Sequence, residues 1–492
     1  MAPLMNLELK PGYSFFTDRA GSKPLYYSVD NGRVMAASRA QEVAVATGQT
    51  VDPVSAADFI ANATVCYPFS LFEGVYHVPP GARVEVVQGG LNVHPYYVPE
   101  EVPDSGTPLA DWAAAIGDGV KAVLEARLAG LRNVCVLFSG GEDARAVASM
   151  LPAHLSPQLV TLADTDNREV RLARRAARRL GYPHCHVRRP PGFYRAAIRE
   201  RVETVGAGWD IRQVHVYGAT ADALRECDAI VGGYGADTLF KTACMGNVRR
   251  RAGRLLPERI STEYPDHPVS VVRASGLPWL RREIARAVDE RRWSHHERLK
   301  EFRPRTAGNW HTLWPLGAHR VAYPHYLSCL AIGPRVVEPF IDDRLYAVAA
   351  RMPDKFRVDR EAFRMAFAEA MGTAGWLPTS SGRIPNVGGA VGQLIARAIS
   401  ERRNARDSIM KRFDKCIGRA AIAQGSWSPD QKGFDFRIEE LLGDAGAQAL
   451  AACLQPVIRV SGRGAGTIDA INALPKRERF RAAQIGCLLT EM

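Results

Sequence analysis

Residues 134–145 read VCVLFSGGEDAR, a short apolar run that ends in a turn of small residues. Behind the turn, apolar residues recur at helical spacing over residues 146–151, so the stretch predicts a buried strand, a tight loop and a helix. Gly140 and Gly141 let the backbone approach an anion, and the first N–H groups of a helix have no intrahelical acceptor. The stretch therefore predicts a phosphate site, where Asp143 adds a carboxylate suited to Mg²⁺.

The loop does not identify a nucleotide fold by itself. It lacks the lysine of the Walker loop and the glycine spacing of a dinucleotide-binding fingerprint. Taken alone, Ser-Gly-Gly after a strand is equally typical of a plain turn. Further stretches of the sequence decide between these interpretations.

Residues 139–143, SGGED, resemble the Ser-Gly-Gly-x-Asp pyrophosphate loop of the ATP pyrophosphatases, the group that contains asparagine synthetase, β-lactam synthetase and the lasso-peptide cyclases. Residues 233–240, GYGADTLF, are similar to the second nucleotide-site motif of this family. Residues 337–342, VEPFID, are similar to its Glu-x-x-x-Pro-Phe-Leu-Asp segment. Upstream, residues 18–27, 34–38 and 78–81 resemble the later half of the glutamine amidotransferase domain that precedes the synthetase domain in this family.

The pattern of strands and helices agrees with that resemblance. β-rich runs separated by turns precede strands that alternate with helices, which is typical of a parallel sheet. We expect an α/β fold: a truncated, mostly β amidotransferase-like domain over residues 1–105, a parallel-sheet ATP-pyrophosphatase (HUP-like) synthetase domain over residues 111–385, and a helical C-terminal extension over residues 386–492.

The resemblance also implies the site, at the carboxyl ends of the parallel strands. It implies that ATP and Mg²⁺ bind, with Asp143 and Asp237 as the metal ligands. It gives catalytic roles to Tyr234 and to Arg383, which lies in a loop where family members carry a lysine that contacts the phosphates. The implied nucleotide-binding residues are Leu137, Ser139, Gly140, Gly141, Asp143, Leu162 and Gly233.

Position 234 separates subfamilies. Asparagine synthetases have Glu there, whereas β-lactam synthetases have Tyr, which helps to deprotonate an intramolecular amine together with a Glu from a later segment. No such Glu stands out in residues 310–330, where His319, Tyr323 and His325 are found. His325 is a candidate base, with buried packing as the alternative for all three.

The amidotransferase-like segment lacks its nucleophile. An intact domain begins with a cysteine that hydrolyses glutamine, whereas this chain has Ala2 there and its first cysteine is Cys66. We therefore expect that the chain cannot make ammonia from glutamine. The segment is then a structural remnant or a platform for a substrate or partner.

Several local patterns give further expectations. Asp164 or Asp166 is a candidate cap for a helix with Val170, Ala173, Ala177 and Leu180 on its apolar face, and a second helix is expected at residues 213–225. His184 and His186 share one face of a strand, where a structural role is favoured over metal binding. Weak periodicity over residues 245–304 suggests a lid or insertion, and the apolar residues 310–332 suggest a pocket wall.

Composition limits the possible partners. The net charge is +12, which attracts anions, although a solvated arginine-rich face is the simpler interpretation. An acidic substrate, a peptide leader or RNA are the alternatives, and the lack of aromatic residues among the basic clusters argues against nucleic acid. Nine cysteines without a Cys-x-x-Cys pair are expected to be reduced, and no signal sequence or membrane span stands out, which predicts a cytoplasmic protein.

We therefore expect an ATP-dependent, AMP-forming amide synthetase that closes a lactam or macrolactam within a peptide or small-molecule carboxylate, with a precursor-processing protein as a possible partner. An ammonia-dependent enzyme of the asparagine-synthetase type is the first alternative. A nucleotide-binding regulatory protein without catalytic activity is the second.

Overall fold

A computed structural model gives the fold of the chain. It describes all residues except 1–7, 105, 191, 212–223, 244, 247, 252–255, 262–270, 311–326, 328–332, 334, 417–423, 426–435 and 461–464. The helix expected at residues 213–225 and the pocket wall expected at 310–332, with His319, Tyr323 and His325, therefore lie almost wholly outside the described residues.

The N-terminal part is a sandwich of two antiparallel sheets. One sheet has the strand order β1–β4–β3–β5 and the other β2–β6–β7. Val34 and Ala36 from the first sheet share a core with Phe15 and Val84 from the second, because alternate residues of each strand point inward. The strands are β1 (Glu8–Leu9), β2 (Ser14–Phe16), β3 (Tyr26–Asp30), β4 (Arg33–Ala37), β5 (Tyr76–His77), β6 (Ala82–Val87) and β7 (Gly90–Pro95).

Two helices accompany this sandwich. Helix α1 (Ala40–Thr47) ends at Gly48, and α2 (Pro53–Asn62) is capped by Asp52, whose carboxylate accepts the N–H groups of Val54 and Ser55. A proline in the first turn costs no hydrogen bond there.

A five-stranded parallel sheet forms the middle of the molecule, in the order β10–β9–β8–β11–β14. The chain runs outward from β8 to β10, then crosses to β11 and β14 on the other side. The carboxyl ends of β8 and β11 therefore flank the point at which the strand order reverses, where α/β sheets bind ligands. These strands are β8 (Val134–Leu137), β9 (Gln158–Ala163), β10 (His184–Arg188), β11 (Ala229–Val231) and β14 (Arg335–Val337).

Helices cover this sheet. One face packs Val120 of α3, Val147 of α4 and Phe363 of α11 into a common core, while the other face has a smaller cluster around Ile230. In chain order, the helices between residues 109 and 371 are α3 (Leu109–Leu128), α4 (Glu142–Ser149), α5 (Arg168–Leu180), α6 (Phe193–Val205), α7 (Ala236–Leu239), α8 (Arg282–Phe302), α9 (Ala307–Trp310), α10 (Asp343–Arg351) and α11 (Glu361–Met371). The expected α/β class is confirmed.

The C-terminal part is helical, with α12 (Gly389–Cys416), α13 (Ile438–Leu454), α14 (Thr467–Asn472) and α15 (Lys476–Glu491). It is not peripheral. Leu450 of α13 and Ile485 of α15 share one core with Phe59 of α2, Ile198 of α6 and Val288 of α8. The first and last segments of the chain are thus packed together.

The stretch expected to be a lid or insertion contains structured elements. Strands β12 (Val248–Arg251) and β13 (Leu256–Ile260) pair antiparallel, and α8 contributes Ala285, Val288 and Leu299 to the buried interior. Arg292 of α8 is buried and donates to the Asp58 carboxylate and the Thr64 carbonyl. Helix α8 therefore belongs to the core and is not a lid, and its charged residues hid its apolar positions in the sequence.

Two other expectations need correction. Asn167, rather than Asp164 or Asp166, caps α5 by accepting the N–H of Val170 at 3.1 Å. The cysteines are not all reduced, since Cys135 on β8 and Cys227 just before β11 form a disulfide with an S–S distance of 2.13 Å. Among the described residues, no helix is both long enough and apolar enough to cross a bilayer.

Candidate functional site

Gly140 sets the turn after β8. Its φ of +66° lies in the left-handed region, and a Cβ atom there would lie 2.7 Å from Cα of Ala173 on α5. Gly141 is the N-cap of α4 and donates its N–H to the hydroxyl of Ser139 at 3.2 Å. The turn thus places the first N–H groups of α4 at the carboxyl end of the central strand, where they can bind an anion.

Lys241 brings three carboxylates together beside this turn. Its ammonium lies 3.1 Å from Glu142 and 3.0 Å from Asp237, and it donates a hydrogen bond to Asp143. Its side chain is only 6% exposed, and its Nζ lies 4.3 Å from the centroid of the Phe363 ring. We call Lys241, Glu142, Asp143 and Asp237 the Lys241 cluster.

The charges of the Lys241 cluster perturb one another. Burial raises the pKa of Asp143 to about 7, and Asp237 and Glu142 add to the rise while Lys241 opposes it. Burial alone would also raise the pKa of Glu142, but Lys241 and the buried Arg360, which donates to the Glu142 carboxylate, hold it below its usual value. The pKa of Lys241 is raised by the carboxylates in spite of burial, so the ammonium stays charged.

The donor set of the cluster fits a hard cation. Asp143 and Asp237 come from different segments, yet their carboxylates converge on one position for positive charge. Within the described residues no group of three His, Cys, Asp or Glu side chains is arranged to hold a metal unaided, so phosphate oxygens or water would complete the shell. The Lys241 ammonium holds the position, and a metal ion bound there requires it to move.

The second motif lies against the first. A Cβ atom on Gly233 would be 3.2 Å from Cβ of Asp143, so the two motifs are in direct contact. The carboxylate of Glu338, just after β14, accepts the backbone N–H of Tyr234 at 3.0 Å. The Tyr234 side chain packs with Leu137 against the cluster around Ile230. Three strand ends thus meet at Tyr234.

The loop that contains Arg383 is bound to α4 near its start, away from Arg383 itself. Buried Arg145 of α4 donates to the carbonyls of Ala374 and Pro378, which fastens the start of that loop to the phosphate-binding helix. Arg383 itself closes a turn, since its carbonyl accepts the N–H of Thr379 at 2.7 Å. Its side chain is exposed and forms no ion pair with the residues of the Lys241 cluster.

The remaining sequence candidates have structural contacts. Leu162 is buried on β9 opposite Val187. His184 shares a hydrogen bond with Thr161 at 2.8 Å, and His186 lies 3.1 Å from the Ala163 carbonyl, so both histidines bind the neighbouring strand. Burial lowers the pKa of His184 to about 4. The favoured structural role agrees with these contacts.

Sequence reasoning missed Lys241, Glu142, Arg360 and the position of Glu338. Lys241 follows the second motif directly and lies four residues after Asp237, a spacing that pairs opposite charges on a helical turn. That spacing was a usable signal. By contrast, Arg360 meets Glu142 across 218 residues of sequence, and no local pattern announces such a contact.

Gly140→Ala should destabilise the protein more than Gly130→Ala. Both glycines have positive φ. At position 140 the new methyl group would clash with the backbone of α5, whereas at position 130 it would enter open space. We expect an additional loss of about 1–3 kcal/mol in the free energy of unfolding, measured by urea denaturation. Equal losses would show that the contact with α5 does not constrain the turn.

Lys241→Met should lower the free energy of unfolding by about 3–5 kcal/mol at neutral pH, because it leaves buried carboxylates without their shared cation. The loss should shrink towards pH 4, as the carboxylates gain protons. Lys355→Met is the control, since Lys355 pairs with Asp104 at the surface and should change stability little. Indistinguishable unfolding curves for the two variants would contradict the role assigned to the cluster.

Comparison with known proteins places these features in a family. The asparagine synthase model matches residues 115–383, and a glutamine amidotransferase domain model matches residues 10–97. No curated protein matches the chain. Among solved structures, a predicted subunit of tRNA methyltransferase from Methanocaldococcus jannaschii is 24% identical over 22% of this chain and 55% of that chain, with a TM-score of 0.17, which is too low to support an inference.

The match with that structure spans about half of its length, so it says nothing about a whole protein. The asparagine synthase match is different in extent, since it covers more than half of the 492 residues and includes both nucleotide motifs. The chain therefore belongs to the asparagine synthase family, whose members are ATP-using ligases that form C–N bonds with release of AMP and pyrophosphate.

Proposed function

We propose that this ligase adenylates a carboxylate of its substrate and closes a lactam or macrolactam with an amine of the same substrate. The observation that carries the ATP-dependent part is the convergence of Asp143 and Asp237 on one cationic position beside the turn that starts α4. The substrate is a peptide or a small-molecule carboxylate, and a precursor-processing protein is a possible partner.

The first step forms a bond between a carboxylate oxygen and the α-phosphorus of ATP and breaks the bond from that phosphorus to the pyrophosphate oxygen. Negative charge builds up on the departing pyrophosphate, and in our proposal the N–H groups at the start of α4 stabilise it. Mg²⁺, when bound by Asp143 and Asp237, would add positive charge at the same place.

The second step forms the amide. The amine nitrogen attacks the acyl carbon of the adenylate, AMP leaves with the bonding electron pair, and the amine gives up one proton. Tyr234 lies where three strand ends meet, and Glu338 fixes its backbone, so this pair is our proposed positioning element for the amine.

An amine from the substrate is favoured over ammonia by the state of the amidotransferase-like part. Within the matched residues 10–97 the first cysteine is Cys66, which is buried, and burial raises the pKa of its thiol to about 12. A thiol with so high a pKa is a poor nucleophile. Cys66 is therefore not a source of glutaminase activity.

Two alternatives remain open to experiment. In the first, the chain amidates a free carboxylate with ammonia, as an asparagine-synthetase-like enzyme would. In the second, it binds nucleotide without turnover, and the observation in its favour is that Lys241 already neutralises the carboxylates that would hold the metal ion.

The deciding assay measures AMP and pyrophosphate release from Mg·ATP in the presence of peptide or small-molecule fractions, or of aspartate with ammonia. We expect release with a substrate fraction and a product lighter than its substrate by one water. Asp143→Ala and Asp237→Ala should each lower the rate by at least about a hundredfold, because they remove ligands that act on the leaving group. The exposed Asp118→Ala is the matched control.

Each outcome of that assay assigns a function. Release driven by aspartate and ammonia would replace cyclisation by simple amidation. Bound ATP without AMP under every condition would favour the regulatory alternative. Full activity in Asp143→Ala would show that the catalytic site lies elsewhere.

The affinity for Mg·ATP should depend on pH. Because the pKa of Asp143 is raised to about 7, its carboxyl group carries a proton below that pH and is a poor cation ligand. Raising the pH from 6 towards 7 should therefore increase affinity, by up to about tenfold per unit, with a plateau above pH 7. Isothermal titration calorimetry measures this, and Asp143→Asn should remove the dependence.

The free energy of unfolding of the nucleotide-free protein should fall as the pH rises, whereas the affinity for Mg·ATP should increase. The folded state keeps a proton on Asp143 up to about pH 7, whereas an unfolded aspartate loses it near pH 4. Between these two pH values the folded state binds more protons than the unfolded state. The stability that the protonated Asp143 contributes is therefore lost as the pH rises. A rise in stability at Asp143 over this window, judged against Asp143→Asn, would contradict the assignment.

A further inference from the structure

A second concave site lies away from the nucleotide motifs. It is a cavity of about 880 Å³ between residues 271–280, the first half of α8 and Arg459, and its lining includes no member of the Lys241 cluster. This volume is in the range of ligand pockets. The proposed synthetase chemistry does not use it.

The walls of this groove are fixed by hydrogen bonds. The Asp289 carboxylate of α8 accepts the N–H groups of Ala274 and Ser275 at 2.7 and 3.0 Å. The N–H of Val272 is bound by the Asn62 side chain at 2.7 Å, and that of Arg459 by the Trp279 carbonyl at 2.8 Å. A ligand would therefore meet a groove that is already formed, which lowers the entropic cost of binding.

The rim of the groove has an excess of positive charge. Arg273, Arg282, Arg286 and Arg459 are exposed, and none of them makes an ion pair in the described part of the chain. Arg282 and Arg286 lie one turn apart on α8, where like charges repel each other. Glu290 is the exposed acid in the lining, since Asp289 is already engaged by the two backbone N–H groups.

Apolar side chains lie between these arginines. Val272 is 44% exposed and Trp293 is 40% exposed, and the floor is formed by Leu277, Leu280 and Ala285. The arginines come from three segments, so a single small anion would engage only some of them. A guanidinium group binds a carboxylate through two parallel hydrogen bonds.

We propose that this groove binds an acidic polypeptide segment in which carboxylates alternate with apolar side chains. The carboxylates would pair with the four arginines, and the apolar side chains would pack on Trp293 and Val272. Nucleic acid fits less well, because the surface between the arginines is mainly aliphatic and offers one exposed aromatic ring rather than a series of stacking platforms. The groove shares no lining residue with the Lys241 cluster, so this proposal can be tested separately from the proposed function.

The test measures fluorescence anisotropy with the full chain and no nucleotide. The probe is a short labelled peptide in which glutamates alternate with valine, leucine and serine, and its partner peptide has glutamine in place of each glutamate. At low salt, we expect the glutamate peptide to bind at least about tenfold more tightly than the glutamine peptide. Arg282→Glu with Arg286→Glu should weaken it by at least about tenfold, and Trp293→Ala by a smaller factor.

The matched control is Arg175→Glu with Arg179→Glu. These arginines are also exposed, also one turn apart on a helix, and have the same charge, but they lie on α5 outside the groove. The control should bind the acidic peptide nearly as well as the unmodified chain does. An equal loss in both variants would mean that the basic surface attracts anions without a site, which overturns the proposal.

Two other results would also overturn it. Equal affinity for the glutamate and glutamine peptides would remove the role of the arginines. The groove would be assigned to nucleic acid if a single-stranded oligonucleotide of the same net charge bound more tightly than the peptide and this binding were lost in the α8 variant. Circular dichroism of each variant keeps misfolding separate from these outcomes, and Arg273→Gln provides a milder second variant.

Discussion

The ion cluster around Lys241 is the constraint on which the nucleotide site depends. The Lys241 ammonium, 6% exposed, is shared among carboxylates from the start of α4 and from α7. A single positive charge therefore joins two motifs that are almost a hundred residues apart in sequence. A buried lysine without partners would lose its proton, and buried carboxylates without a cation would gain one. Each motif therefore sets the protonation state of the other.

This mutual dependence explains the packing around the cluster. A side chain at position 233 would crowd Asp143, and one at position 140 would clash with the backbone of α5. Phe363 covers the ammonium on the apolar side, and Arg360 neutralises the excess negative charge at Glu142. The glycines thus allow the backbone segments to approach closely, and the ion pairs keep the charge of the buried groups nearly balanced.

Much of the fold could be predicted from the sequence because its strands and helices follow local periodicity. The strand at β8, the glycine turn and the apolar face of α5 are continuous patterns, and the order of the family motifs placed them in a parallel sheet. The long helix α8 was missed because Arg292 and the histidines of its buried face look like surface residues, although Asp58 compensates the arginine. The ion pair of Arg360 with Glu142, and the core that Leu450 shares with Phe59, bring together residues hundreds of positions apart and leave no local pattern in the sequence.

The disulfide between Cys135 and Cys227 has a mechanical consequence. It links the strand that leads into the first motif to the residue that leads into the second, across 92 positions of sequence. This covalent bond limits how far β8 and the segment before β11 can separate on the amino-terminal side of β11. The segments that lead into the two motifs are thus joined by a covalent bond as well as by the pairing of β8 with β11.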